Sequence, residues 1–127
     1  MGASMKTEKI ALYLMKFPQT TEEQPFGPDA DVYKVAGKIF AIISPDDTPP
    51  AISLKCDPVI AIELREEYES VLPGYHLNKS HWNTVILDDS VPDDELKKMI
   101  SHSYEQVVNG LPKSLRVRIS GLDWPAV

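Results

Sequence analysis

The sequence has 127 residues, of which 43% are apolar and 25% are charged, with 13 basic and 19 acidic side chains and a formal net charge of −6. This length and composition are typical of one globular domain that buries its core without metal or disulfide cross-links. The acidic excess argues against a dedicated nucleic-acid-binding protein, which usually carries a basic face. A single cysteine, Cys56, excludes an internal disulfide and favours a reducing compartment.

Neither a membrane span nor a signal peptide is expected. No apolar run approaches the roughly 20 residues that a membrane-spanning helix needs. The apolar stretch Ile10–Phe17 is interrupted by Tyr13 and Lys16 and lacks a small-residue cleavage site. We therefore expect a cytoplasmic protein without membrane contact, in which residues 1–127 form one domain and residues 1–4 are an expression scar.

The first predicted element is a helix over residues 7–17. Its apolar side chains recur at the i, i+3, i+4 and i+7 spacing of one helix face, at Ile10, Tyr13, Leu14 and Phe17. Pro18 ends this helix because the residue before a proline disfavours the helical conformation. The next segment, residues 19–31, contains two prolines and a glycine and predicts a loop.

Three strands are predicted next. Two β-rich runs, residues 32–35 and 38–44, flank Ala36 and Gly37, and the glycine supplies the positive φ that a tight hairpin turn needs. Residues 51–56 alternate between apolar and polar side chains and predict a third strand. This alternation places Ile52, Leu54 and Cys56 on one face and Ser53 and Lys55 on the other.

The second half of the chain predicts a helix, two strands and a further helix. Asp57 and Pro58 combine an N-cap with a proline at the first helical position, which predicts a helix over residues 58–69. Residues 74–87 predict two extended segments with a turn between them. A third helix is predicted over residues 90–109, where a glycine and a proline follow its last turn.

The predicted order of elements is α-β-β-β-α-β-β-α. Such an order predicts an α+β two-layer sandwich, with three helices packed on one face of a five-stranded antiparallel sheet. The other face of this sheet is then open to solvent and forms a natural binding platform. Residues 114–120 alternate apolar residues with arginines, and two interpretations stay open for them, an additional edge strand and a loose basic tail.

Motifs for catalysis and cofactor binding are absent from the sequence. It contains no GxxxxGK[ST], GxGxxG, HExxH or CxxC pattern. His76 and His81 flank the predicted turn, but a catalytic zinc site needs three protein ligands. Cys56 is predicted on the apolar side of its strand, which favours a buried, inert thiol. We therefore expect no catalytic residue, no metal and no cofactor, and we interpret the protein as not being an enzyme.

One segment, residues 73–85 (PGYHLNKSHWNTV), concentrates histidine, asparagine, lysine and aromatic side chains. Asparagine can pair with adenine edges, lysine can contact phosphates, and Tyr75 or Trp82 can stack on bases. In the alternative interpretation, Tyr75 and Trp82 are core residues whose polar atoms are satisfied by neighbouring histidine and asparagine side chains.

From Phe17 to Arg116 the sequence resembles the MmcQ/YjbR family of small bacterial proteins. The resemblance is carried by FP (17–18) with TTE (20–22), PFGP (25–28), VYKV (32–35), GKIFA (37–41), LKCDP (54–58), LR (64–65) with Tyr68, PGYHLNKSHWN (73–83), LD (87–88), SY (103–104) and LPK (111–113). It implies an α+β fold like that of type III secretion chaperones and frataxin-like domains. The family is commonly described as DNA-binding through its likeness to a "double-wing" domain. Residues 117–127 fall outside the pattern.

The resemblance and the segment together predict a non-enzymatic regulatory module that binds DNA weakly through the open sheet face. In this hypothesis lysines contact phosphates, two asparagines reach base edges, histidines add donors, and Tyr75 and Trp82 are stacking candidates. The predicted contact residues are Lys34, Lys38, Lys55, His76, Asn78, Lys79, His81 and Asn83. The alternative is a chaperone-like module that binds a protein or peptide through the same face. A positive patch on this face favours DNA, and a flat apolar patch favours a protein partner or a dimer.

Overall fold

A computed structural model of the protein describes residues 2–125; Met1 of the predicted expression scar and the last two residues of the C-terminal tail lie outside this range. The helices are α1 (Gly2–Leu14), α2 (Pro58–Glu67), α3 (Asp93–Asn109) and α4 (Lys113–Ser120). The strands are β1 (Thr20–Glu23), β2 (Asp31–Val35), β3 (Lys38–Ser44), β4 (Ala51–Lys55), β5 (Val71–Pro73) and β6 (Trp82–Ile86). The strands form one antiparallel sheet in the order β1-β2-β3-β4-β6-β5.

The helices lie on one face of the sheet, which confirms the predicted α+β architecture. Helix α3 packs across β2, β3 and β4, and α2 packs against β5 and β6. Helix α1 adds Ile10 and Leu14 to the same core, and α4 packs on α3 and adds Ile119. The opposite face carries no helix within residues 2–125, and we call it the open face.

The sheet register decides which side chains lie on the open face. Ile52 and Leu54 of β4 point into the core, as their alternation predicted. Ser53 lies between them and therefore points to the other side. Because directly opposed residues of an antiparallel pair share a face, its partners Ile42 on β3 and Thr84 on β6 also lie on the open face.

The Ser103 hydroxyl of α3 connects this helix to two strands of the sheet. A register shift in the β2–β3 pairing leaves Phe40 between the paired residues of β3, and the β3–β4 pairing ends beside it. There the Ser103 Oγ donates to the Phe40 carbonyl at 2.5 Å and accepts from the Lys55 N–H at 2.8 Å. The hydroxyl therefore bridges the two strands where their own pairing has ended.

The two neighbours of Ser103 connect α3 to the start of α2 and to the segment that follows α1. His102 Nε2 accepts a hydrogen bond from the Asp57 N–H at 3.0 Å, at the residue that caps α2. The Tyr104 hydroxyl donates to the carbonyl of Pro18, just after α1. Three consecutive residues of α3 thus fix its position relative to the sheet, α1 and α2.

The helix and strand counts predicted from the sequence are wrong, because two elements were missed. Residues 20–23 pair with β2 as an edge strand, although a loop was predicted there. Residues 114–120 belong to α4, and neither an edge strand nor a loose tail is present. Ile119 is buried while Val117 is 61% exposed. Residues two positions apart share a face in a strand but not in a helix, so this difference fits a helix with one buried face. Residues 2–125 therefore contain six strands and four helices.

The strands predicted within residues 74–87 are also shifted. Strand β5 occupies residues 71–73, upstream of the predicted position, and β6 begins at Trp82. Residues 74–81 between them form one connection, which we call the 74–81 loop.

We expect Ser103→Ala to lower the free energy of unfolding by about 2–3 kcal/mol, because it leaves the Phe40 carbonyl and the Lys55 N–H without their partner. Urea denaturation followed by circular dichroism measures this change. Ser101→Ala, two positions earlier on α3, is the matched control and should change stability by less than about 0.5 kcal/mol. Equal stability of the two variants would contradict the bridging role of Ser103.

Candidate binding groove on the open face

A groove of about 710 Å³ lies on the open face, within the size range of roughly 300–1,000 Å³ that is usual for ligand sites. We call it the open-face groove. Four strands form its floor, with Ile42 and Ser44 from β3, Ala51 and Ser53 from β4, Leu72 from β5, and Thr84 and Ile86 from β6. Its walls are formed on one side by Phe26 and Asp47 of two loops, and on the other by the end of β5 at Pro73 and by Tyr75, His76 and Leu77 of the 74–81 loop.

Hydrogen bonds hold the 74–81 loop against the sheet. The Gly74 N–H donates to the Trp82 carbonyl at 2.8 Å, and the Gly74 carbonyl accepts from Lys79 Nζ at 3.0 Å. Within the loop, Asn78 Oδ1 accepts from the Ser80 N–H at 2.9 Å, which closes a local turn. The wall of the groove is therefore an ordered part of the fold.

Tyr75 is anchored by its backbone while its ring stays exposed. The Tyr75 N–H donates to Thr84 Oγ1 at 3.1 Å, and this oxygen also shares a hydrogen bond of 2.8 Å with Ser53 Oγ. The ring is in contact with the His76 ring, at 3.9 Å between centroids, and Tyr75 is 71% exposed. Across the groove, Phe26 is 69% exposed. Two exposed aromatic rings thus flank a mainly apolar floor.

The groove itself carries little positive charge. Among the described residues that line it, Asp47 is an acid, His76 is the one titratable base, and neither lysine nor arginine is present. Lys34 and Lys55 lie on the open face outside the groove, as the pairing of Lys34 with Ile39 and the alternation of β4 indicate. Lys34 Nζ forms a salt bridge of 3.2 Å with Glu23, which reduces its availability to an anionic ligand.

The structure does not bring the predicted DNA contacts together. His76 lines the groove, whereas Asn78 and His81 are exposed in the loop behind it. Lys38 is exposed at the hairpin end and pairs with Val35, a core residue, so its register places it on the helix-covered side.

Asn83 has a structural position. It is 3% exposed, and its Nδ2 donates to the Ala61 carbonyl in α2 at 3.2 Å, so it lies beneath the helices and away from the open face. Of the two stacking candidates, Tyr75 is exposed in the groove, while Trp82 is half-buried with its Cβ against Gly74.

The sequence interpretation missed the apolar residues that define the groove. Phe26 follows a proline in a loop of polar residues, and an aromatic side chain in such a loop is a signal that it has a surface role. Ile42 and Ile86 reach the open face through the register of the sheet, which no local pattern in the sequence specifies.

The buried thiol of Cys56 offers no nucleophile. Burial raises its pKa to about 11, with a smaller contribution from the Asp57 carboxylate and partial opposition from Arg65. The thiol is therefore protonated at neutral pH and 4% exposed.

In the described part of the chain, no group of three or more His, Cys, Asp or Glu side chains is placed to hold a metal ion. None of the helices within residues 2–125 has the length and apolar character that crossing a bilayer requires.

We expect Gly74→Ala to destabilise the protein by about 1–3 kcal/mol and to displace the groove wall. A Cβ at residue 74 would lie 2.6 Å from the Trp82 Cβ, and the strand that carries Trp82 cannot retreat without breaking its pairing. Gly110→Ala is the matched control, because its Cβ would lie at an ordinary 3.5 Å from the Val107 carbonyl. Thermal denaturation of both variants measures the difference, and a stable Gly74→Ala protein would contradict this close packing.

Comparisons with known proteins agree with this fold. The model of the YjbR family matches residues 15–106. The uncharacterized protein YjbR of Escherichia coli (strain K12) is 37% identical over 112 residues, which cover 88% of this chain and 95% of that protein. The uncharacterized protein YbdF of Escherichia coli O157:H7 is 40% identical over 95 residues, or 75% of this chain and 78% of that protein.

A solved structure gives the same result in three dimensions. The crystal structure of the Deinococcus radiodurans protein DR2400 matches with a TM-score of 0.86 and 33% identity, and the match covers 94% of this chain and 91% of that one. The family match, the relatives and the shared fold extend over most of the sequence. The chain belongs to the YjbR family.

Proposed function

We propose that this protein is a non-enzymatic binding module that holds an apolar segment of another protein in the open-face groove. The observation that carries this proposal is the pair of exposed rings, Phe26 and Tyr75, on either side of a mainly apolar floor. Exposed apolar surface of this kind, bordered by polar residues, is typical of protein-interaction sites. From the sequence, both DNA and a protein partner are possible ligands of this face. The chemistry of the groove supports the protein partner.

The two aromatic rings are suited to supply most of the binding free energy. Aromatic side chains bury about 150–250 Å² each and are enriched among the residues that dominate interfaces. At about 25 cal/mol per Å², covering about 80 Å² of one exposed ring contributes roughly 2 kcal/mol. Truncating either ring should therefore weaken binding by about tenfold or more.

The polar atoms on the floor favour an apolar ligand. Ser53 Oγ and Thr84 Oγ1 bond to each other, and Thr84 Oγ1 also accepts the Tyr75 N–H. Because both oxygens already take part in hydrogen bonds, a ligand gains less from offering polar groups to them than it would from unpaired hydroxyls. Recognition then depends mainly on shape and apolar area.

A random peptide library displayed on phage, selected on the immobilised protein, tests this proposal. We expect enriched peptides to be rich in aromatic and aliphatic residues, and a synthetic copy to lose about tenfold in affinity against Phe26→Ala and against Tyr75→Ala. Val117→Ala, which truncates a similarly exposed apolar side chain on α4, is the matched control and should bind normally. Failure to enrich any peptide, or undiminished binding by both groove variants, would refute the proposal.

DNA is the second candidate ligand, because Lys34 and Lys55 accompany the exposed ring of Tyr75 on the open face. Lys79 adds a third cation nearby, although its ammonium already donates to the Gly74 carbonyl. Three phosphate contacts give a slope of log K against log salt of about −3 at most. This is a shallow dependence for a DNA-binding protein.

In a fluorescence-anisotropy titration with duplex DNA we expect no binding at physiological salt, because the chain carries a net charge of −6. Lys34→Ala and Lys55→Ala are the informative variants. Salt-dependent binding that both variants weaken would place DNA ahead of the peptide ligand.

A further inference from the structure

A second groove, of about 450 Å³, lies on the helix-covered side between α1 and α3. We call it the helix-side groove. It is lined by the lysines Lys9, Lys16 and Lys97, by apolar side chains that include Leu12, and by Tyr13 and Asp93. Three ammonium groups against one carboxylate make it a basic site with apolar walls, although the chain as a whole is acidic.

The geometry of α1 and α3 places the charges around apolar surface. Lys9 lies on α1 and Lys16 lies two residues beyond the end of this helix, and both line the groove. Leu12 lies between them and is 69% exposed. Lys97 Nζ lies 5.4 Å from the centroid of the Tyr13 ring, so α3 holds a cation against an aromatic wall.

Helix α2 presents a surface with the complementary composition. Val59 and Ile62 are 67% and 52% exposed, and Glu63 and Glu66 are also exposed. Their spacings of three, four and seven positions place these four residues on one stripe of the helix. Along the helix the stripe begins with the apolar Val59 and Ile62 and ends with the acidic Glu63 and Glu66, and it spans about 10 Å.

We propose that α2 of one copy of this chain docks in the helix-side groove of a second copy. Its apolar residues would cover Leu12, and its glutamates would face the three lysines. The groove lies between α1 and α3, whereas α2 packs on the far strands β5 and β6, so the two surfaces belong to different parts of one molecule. Two different patches then meet in each contact, and repetition of this head-to-tail contact builds a ring or an open chain.

This contact is independent of the proposed peptide site, since both of its surfaces lie away from the open-face groove. It is also predicted to be salt-sensitive, because exposed ion pairs are screened over about 10 Å at 0.1 M salt. A copy of the chain bound at the helix-side groove leaves Phe26 and Tyr75 exposed.

Sedimentation velocity over a range of protein concentrations tests the proposal. We expect the wild type to gain mass with concentration at low salt and to lose this association at high salt. A groove-reversed variant (Lys9→Glu with Lys97→Glu) and a helix-reversed variant (Glu63→Lys with Glu66→Lys) should each associate at least about tenfold more weakly, because like charges then meet.

Charge exchange distinguishes a specific contact from general repulsion. An equimolar mixture of the groove-reversed and helix-reversed variants should associate again, because each groove then finds a helix of opposite charge. Lys113→Glu with Arg118→Glu on α4 changes the net charge as much as the groove reversal does and is the matched control, expected to associate like the wild type. Circular dichroism checks that all variants fold. A wild type that stays monomeric at low salt, variants that associate normally, or a mixture that does not recover would overturn the proposal.

Discussion

The hydroxyl of Ser103 is the contact on which the arrangement of helices and sheet depends. It is fully buried and bridges β3 and β4 at the point where their own pairing ends, through Phe40 and Lys55. A buried polar group without partners costs about 1–3 kcal/mol, so this bridge fixes both the depth and the direction of α3. His102 and Tyr104 then attach the start of α2 and the segment that follows α1 to the same helix turn. With its helices gathered on one face, the sheet keeps the other face open.

An open sheet face becomes a groove when loops rise beside it. Here Phe26 and the 74–81 loop supply the two walls, and the loop is held by the bond from Gly74 to Trp82 and by the anchoring of Tyr75 on Thr84. Because these hydrogen bonds form within the chain, between the loop and strand β6, the walls of the groove are in place before any ligand binds. A preformed site loses less conformational entropy on binding than one that must be ordered by its ligand.

The parts of the fold that were predictable from the sequence are those specified by local chemistry. The hairpin of β2 and β3 follows from the turn at Ala36 and Gly37, where both residues have positive φ, and the start of α2 follows from its Asp57 cap. Strand β1 was not predictable, because its polar sequence TTEE is a strand only through pairing with β2. The predicted DNA-contact residues do not lie on one surface for a related reason. The face on which a residue such as Lys38 lies is determined by the bulge and register of the sheet, and spacing along the chain does not specify it.

Charge is distributed unevenly over the two sides of the molecule, and this separates their binding properties. The open-face groove contains neither lysine nor arginine among its described lining residues, so contacts there gain mainly from burying apolar area. The helix side combines the lysines of α1 and α3 with the exposed glutamates of α2, so contacts there depend on charge. Salt screens the second kind of contact and leaves the first largely unchanged. Ionic strength therefore provides a way to study each surface while the other is held constant.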